Sequence, residues 1–143
     1  MGKKRIVTKS GDSLATSIKQ QVAKIAKKKL STGTIYIQST YNNTRLALTD
    51  KHGNMLAWSS SGALGFRGAK KGTPFAAAKV AEILTEKATA IGIKDVDIVV
   101  RGVGAGRESS IRTIASKGID ITAIRDATPV PHNGPRPPKP RRV

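Results

Sequence analysis

From about residue 31 the chain alternates apolar and polar positions with two different periods. Gly33 to Thr40 (GTIYIQST), Thr44 to Asp50 (TRLALTD) and Asn54 to Ser60 (NMLAWSS) follow the short, β-branched pattern of half-buried strands. The links between them, Tyr41-Asn42-Asn43 and Lys51-His52-Gly53, are rich in turn formers, which predicts three antiparallel strands. Thr73 ahead of Pro74 reads as the N-cap and first position of a helix that carries Val80, Ile83, Leu84 and Ile91 on one face and stops at Gly92. Asp95 to Arg101 (DVDIVVR) is a strand of the buried type. Gly102-Val-Gly-Ala-Gly106 then turns into a second helix, with Ile111, Ile114 and Ala115 inward and Gly118 as its stop, before a fifth strand at Ile119 to Arg125. The order β-β-β-α-β-α-β with right-handed crossovers predicts an α/β fold, a mixed five-stranded sheet with its helices packed on it.

The flanks break this pattern. Residues 127–143 hold six of the seven prolines, so they can form neither helix nor central strand and are expected as an extended arm reaching about 50 Å at roughly 3.1 Å per residue. Residues 1–30 place Leu14, Ile18, Val22 and Ile25 at helical spacing with Lys19, Lys24, Lys27 and Lys28 outside that stripe, the pattern of a basic amphipathic helix. Three parts follow: an N-terminal arm (1–30), a core domain (31–126) and a C-terminal tail (127–143).

Charge gives the arms a purpose. The chain of 143 residues has 26 Lys and Arg against 9 Asp and Glu, a formal net charge of +17. Residues 1–30 carry +8, residues 127–143 carry +4 with no acid at all, and the core carries only +5. Such a field favours a polyanion, nucleic acid or an anionic membrane. No apolar run approaches the roughly 20 residues that span a bilayer, and the N-terminal arm has no Trp or Phe to anchor it on a membrane surface. With no cysteine and only His52 and His132, disulfides, thiolate metal sites and a cysteine nucleophile are excluded. The expectation is a soluble, intracellular protein without cofactor or metal, attached to nucleic acid.

Three segments carry candidate chemistry. Ser59 to Thr73 (SSSGALGFRGAKKGT) is a glycine-rich loop ending at a helix start; open backbone N–H groups there, with Arg67, Lys70 and Lys71, suit phosphate oxygens. It lacks the G-x-x-x-x-G-K-[ST] order of a nucleotide-binding loop, so a cradle for a nucleic-acid backbone is the reading, against a plain flexible loop. Gly102 to Glu108 repeats the arrangement of strand, glycines and helix, with Arg107 and Arg112 at the helix start; its glycines also suit a tight turn made only for packing. In the loop Tyr41-Asn42-Asn43-Thr44 an asparagine amide can serve the turn or reach a sugar or base.

The predicted strand order is also that of ribonuclease H-like enzymes, so a basic nuclease is the alternative reading. Those nucleases hold divalent metal on clustered carboxylates, beginning with one on the first central strand. Residues 33–40 contain no acid, Asp95 and Asp97 lack a third partner, and Asp50 and Asp126 sit at strand ends where turn duties are expected. No enzymatic activity is expected.

The stretches SSSGALGFRGAKKGTPFAAA (Ser59 to Ala78), VRGVGAGRESSIR (Val100 to Arg112) and IRDATPVPHNGPRPPKPRRV (Ile124 to Val143) together resemble the universal small-subunit ribosomal protein family number eleven, of the bacterial type. The resemblance runs from about residue 31 to the end, and residues 1–30 match no motif of it. It implies a ribonuclease H-like fold without nuclease activity, in the cytoplasm on the platform of the small ribosomal subunit. It implies binding to small-subunit ribosomal RNA, contact with neighbouring platform proteins, and a tail near the messenger exit and the Shine-Dalgarno helix, with no membrane and no homo-oligomer. Carried over position by position, it marks Asn42, Asn43, Arg67, Lys70, Lys71, Arg107, Arg112, His132, Asn133, Arg136, Arg141 and Arg142 as RNA-facing. Pro135 stands where many bacterial members have cysteine.

Overall fold

The computed structural model describes residues 30–139. The N-terminal arm expected at residues 1–30, with its amphipathic stripe, lies almost wholly outside the described residues. Within them, β1 (Thr32–Ser39), β2 (Thr44–Thr49) and β3 (Met55–Ser60) lead through a 3₁₀ turn (Gly68–Gly72) into α1 (Pro74–Ile91); β4 (Asp95–Arg101), α2 (Gly106–Ser116) and β5 (Asp120–Asp126) follow. This is the element order expected from the sequence.

The sheet runs β3-β2-β1-β4-β5. β2 pairs antiparallel with β1 and with β3, whereas β4 pairs parallel with β1 and with β5. β1 is therefore the central strand and the seam between the antiparallel and parallel halves. Its parallel neighbour is reached only by crossing over through α1, and the loops after β1 and β4 consequently emerge at one edge of the sheet.

One face of the sheet makes the core. Ile35 and Ile37 of β1, Leu46 and Leu48 of β2, and Val96, Ile98 and Val100 of β4 are buried beneath Val80, Ala81, Leu84, Ala88 and Ile91 of α1 and Ile114 of α2. Burying each large aliphatic side chain contributes about 1.5–3 kcal/mol. α1 starts as its sequence predicts: Thr73 Oγ1 accepts from Ala76 N at 3.3 Å, and Pro74 occupies the first turn. It ends where the Gly92 N–H reaches back to the Ala88 carbonyl. Lys87 ties it to β3, its Nζ donating to the Trp58 carbonyl oxygen at 3.2 Å, and burial pushes that amine's pKa down. Ala115, expected to point inward, is exposed. α2 packs through Gly106, Ser110 and Ile114, an i, i+4, i+8 line, and Ala115 lies off it.

The opposite face carries Tyr36, Gln38, Arg45, Trp58, Val99 and Arg101, and no described helix covers it. No described helix is long and apolar enough to cross a membrane.

Ile98 is fully buried at the centre of the parallel half. Ile98→Ala removes three methyl or methylene groups there and is expected to lower the unfolding free energy by about 2–5 kcal/mol in a denaturant melt, with the slope unchanged.

Candidate nucleic-acid interface

Three loops meet at the edge where β1 and β4 end. The first, residues 40–43, is held by its own backbone and by the strand end beside it. Thr40 N donates to the Asn43 carbonyl at 2.9 Å, and Asn43 N donates to Thr40 Oγ1 at 3.1 Å. The Asn43 amide oxygen accepts from Ser61 Oγ at 2.5 Å, and Ser61 N donates to the Thr44 carbonyl at 3.0 Å. The Asn43 side chain thus works inside the protein, tying this loop to the glycine-rich one. Asn42 stays exposed at the tip beside Tyr41.

The second loop, residues 61–72, lies against the first. A Cβ at Gly72 would overlap the Tyr41 carbonyl, so only glycine lets the two backbones touch. Arg67 just before the 3₁₀ turn and Lys70 within it are exposed and Lys71 is half-buried, with no acid in the first turn. Thr73 Oγ1 fastens the turn by donating to the Lys70 carbonyl at 2.7 Å while also capping α1. Phe66 and Phe75 meet edge to face, with ring centroids 6.2 Å apart. Lys79 Nζ stands 5.9 Å from the Phe75 ring centre.

The third loop, residues 102–105, crosses the end of β1. Gly102 has φ 98°, and a Cβ there would overlap the Ser39 carbonyl. Gly104 N donates to that same carbonyl at 3.0 Å. Behind this turn the fully buried hydroxyls of Ser39 and Thr44 have no hydrogen-bond partner and face the α-carbons of Gly104 and Gly106. Larger residues at 104 or 106 would collide with them, so these glycines serve close packing. Ala105, at the N-cap of α2, offers no side-chain cap, leaving the first N–H groups of the helix open. A cleft of about 360 Å³ separates the starts of α1 and α2, with Pro74 and Ala78 on one side and Ala105, Glu108, Ser109 and Arg112 on the other.

Arg107 has a distinct place in this edge. Its guanidinium donates to the Gly102 carbonyl, to Thr128 Oγ1 at 3.2 Å and to Asp126 Oδ2 at 2.5 Å. Thr128 Oγ1 in turn donates to Asp126 Oδ1 at 2.6 Å and accepts from Gly102 N at 3.2 Å, and Ala127 N donates to the Val100 carbonyl at 2.9 Å. These bonds knot the root of the tail to the turn after β4. The Thr128 hydroxyl, and after it the Arg107 guanidinium, hold the Asp126 carboxyl down at about 2. Asp50, the other strand-end acid, makes a turn by accepting from His52 N at 2.8 Å and Asn54 N at 2.9 Å.

Beyond Thr128 the described tail is exposed and has no regular secondary structure. It carries His132, Asn133 with φ 58°, and Arg136. Arg141 and Arg142 lie outside the described residues. Among the described residues Arg67, Lys70, Lys71 and Arg112 pair with no carboxylate; the three ion pairs found there are Lys79–Glu82, Lys117–Glu82 and Arg107–Asp126. The described residues also bring together no group of three His, Asp or Glu that could hold a metal ion. Sequence reasoning passed over Tyr41 and Phe75, 77% and 64% exposed on this edge. The signal for Phe75 was its place directly after the helix-starting proline, off the buried stripe.

Cations without a carboxylate partner among the described residues, gathered around the open start of α2 on a mixed α/β sheet, fit a protein of the nucleic-acid-binding class. Residues 33–142 match the family model described as Ribosomal protein S11, and the chain belongs to that family. It is a ribosomal protein with a structural role in the small subunit: a component of a ribonucleoprotein that binds ribosomal RNA and other ribosomal proteins in the apparatus of translation.

The tail-root knot is testable by pH. A carboxyl held at about 2, against 3.8 ordinarily, contributes its bonds fully above 3.8 and loses them as pH falls through 2. An NMR titration of the Thr128 amide is expected to show a midpoint near 2, raised toward 3.8 by Arg107→Gln. A wild-type midpoint at 3.8 contradicts the knot.

Proposed function

We propose that the three-loop edge grips small-subunit ribosomal RNA by its sugar–phosphate backbone on the platform of the subunit. The tail then carries His132, Asn133, Arg136, Arg141 and Arg142 beside neighbouring platform proteins toward the messenger exit and the Shine-Dalgarno helix. The observation that carries this reading is the set of four edge cations, Arg67, Lys70, Lys71 and Arg112, without a carboxylate partner among the described residues. Left so by the protein, they are free for phosphate, and the open N–H groups at the start of α2 add oriented dipoles of the same sign.

The geometry divides the labour. Arg67, Lys70 and Lys71 sit on or beside a short turn whose C-terminal end is fastened by Thr73, so the backbone that bears their charges is held in place. Asn42, at an exposed tip braced by Asn43, is placed to bond sugar or phosphate oxygen. Arg107 aims the tail through its bonds to Asp126 and Thr128 and keeps about a third of its side chain exposed toward the RNA. Contacts of this kind read shape and backbone, the mode in which folded RNA is bound.

Arg67→Ala/Lys70→Ala/Lys71→Ala should weaken binding to a small-subunit ribosomal RNA fragment. It should also lower the slope of log affinity against log salt by about two to three, at roughly 0.7–0.9 per lost phosphate contact. Wild-type affinity that does not change with salt overturns the reading. Truncation after Thr128 is expected to leave the melting of the core unchanged while impairing subunit assembly or leader positioning, read by a circular-dichroism melt beside a reconstitution assay. The cut falls there because Ala127 and Thr128 belong to the knot.

A further inference from the structure

The sheet face turned away from the helices is built in two registered rows. Nearest the three-loop edge, Ser60, Arg45, Gln38 and Arg101 stand side by side across β3, β2, β1 and β4. One row further in come Trp58, Ala47, Tyr36, Val99 and, on β5, Arg125. Trp58, on the edge strand β3, and Tyr36, on the central strand β1, are 47% and 42% exposed. They stand two strands apart, about 10 Å, and the residue in register between them, Ala47, contributes only a methyl group. The Arg45 guanidinium lies 5.8 Å from the Trp58 ring centre. Arg45, Arg101 and Arg125 are all exposed and join none of the ion pairs of the described residues. The acids on this face, Asp95, Asp97 and Asp120, lie at its far end, away from the edge.

We propose that this face is a stacking platform for unpaired RNA bases, with Trp58 and Tyr36 as the stacking rings and Arg45, Arg101 and Arg125 holding the strand's phosphates. Charge and continuity argue for RNA as the occupant. The row of Arg45 and Arg101 adjoins the edge whose glycine-rich loop carries Arg67 and Lys70, so a strand leaving that edge crosses two arginines and then reaches two exposed rings with Arg125 beside them. Rings serve single-stranded bases of any sequence, because every base has a stacking face. The inference rests on the RNA-binding reading of the edge but concerns a separate surface.

Trp58 is the single tryptophan of the chain, so its emission reports this face alone. An unpaired RNA octamer of mixed sequence, added to the full-length protein, is expected to quench that emission by half or more, and a duplex of the same length much less. Tyr36→Ala should weaken octamer binding about tenfold, and Tyr36→Phe should restore it. Trp58→Phe, followed by footprinting on the ribosomal RNA fragment, should keep protection that Trp58→Ala loses. Unchanged emission, equal quenching by the duplex, or a Trp58 shielded in assembled subunits by a neighbouring protein instead of RNA overturns the platform. In Arg67→Ala/Lys70→Ala/Lys71→Ala the octamer should still quench. Failure of the wild type to bind ribosomal RNA defeats the edge reading, whereas intact binding with unquenched Trp58 defeats the platform alone.

Discussion

The end of β1 is the point on which the functional half of the molecule hangs. There the Ser39 carbonyl accepts from Gly104 N, while Gly102 and Gly104 press their α-carbons against the same strand end. This contact exists because β4 runs parallel to β1 and finishes beside it. It brings the turn before α2 within reach of loop 40–43, and Asn43 with Ser61 then brings in the glycine-rich loop. Three segments far apart in the chain become one edge, held by hydrogen bonds and by close packing of glycine against the buried Ser39 and Thr44. A side chain at 72 or 102 would push the segments apart, which explains why the sequence spends glycine at those two places.

That edge separates the charged residues by their partners. An arginine held by a carboxylate has a structural duty, whereas one left without a carboxylate keeps its donors for solvent or a ligand. Arg107 falls in the first set, since Asp126, Thr128 and the Gly102 carbonyl absorb its donors and so fix the direction in which the tail departs. Arg67, Lys70, Lys71 and Arg112 join none of the ion pairs of the described residues, and under the proposed function they are the groups that meet phosphate. The buried face supplies the rigidity that both depend on, because α1 and α2 clamp β1, β2 and β4 through an all-aliphatic layer.

Much of this was legible in the sequence, for definite reasons. Alternation in TIYIQS and LALT, Thr73-Pro74 at a helix start and Gly92 at its end gave every element of the core, because local propensity and tertiary packing agree there. The three loops could be singled out by glycine and charge. What could not be read was pairing between distant residues. Nothing local tells Asn43 that it faces Ser61, or Arg107 that it faces Asp126 and Thr128, 19 and 21 positions on. Ala115 failed for a related reason: a helix this short packs along one narrow line, and apolar character alone does not say which residues lie on it.

The most direct test uses the absence of native cysteine. Single cysteines placed by Lys70→Cys on the edge and Glu86→Cys toward the other end of α1 can each carry an iron chelate that cleaves nearby RNA with hydroxyl radicals. In reconstituted small subunits the account predicts focused cleavage of ribosomal RNA from position 70 and little from position 86. Strong cleavage from 86 with none from 70 would contradict it.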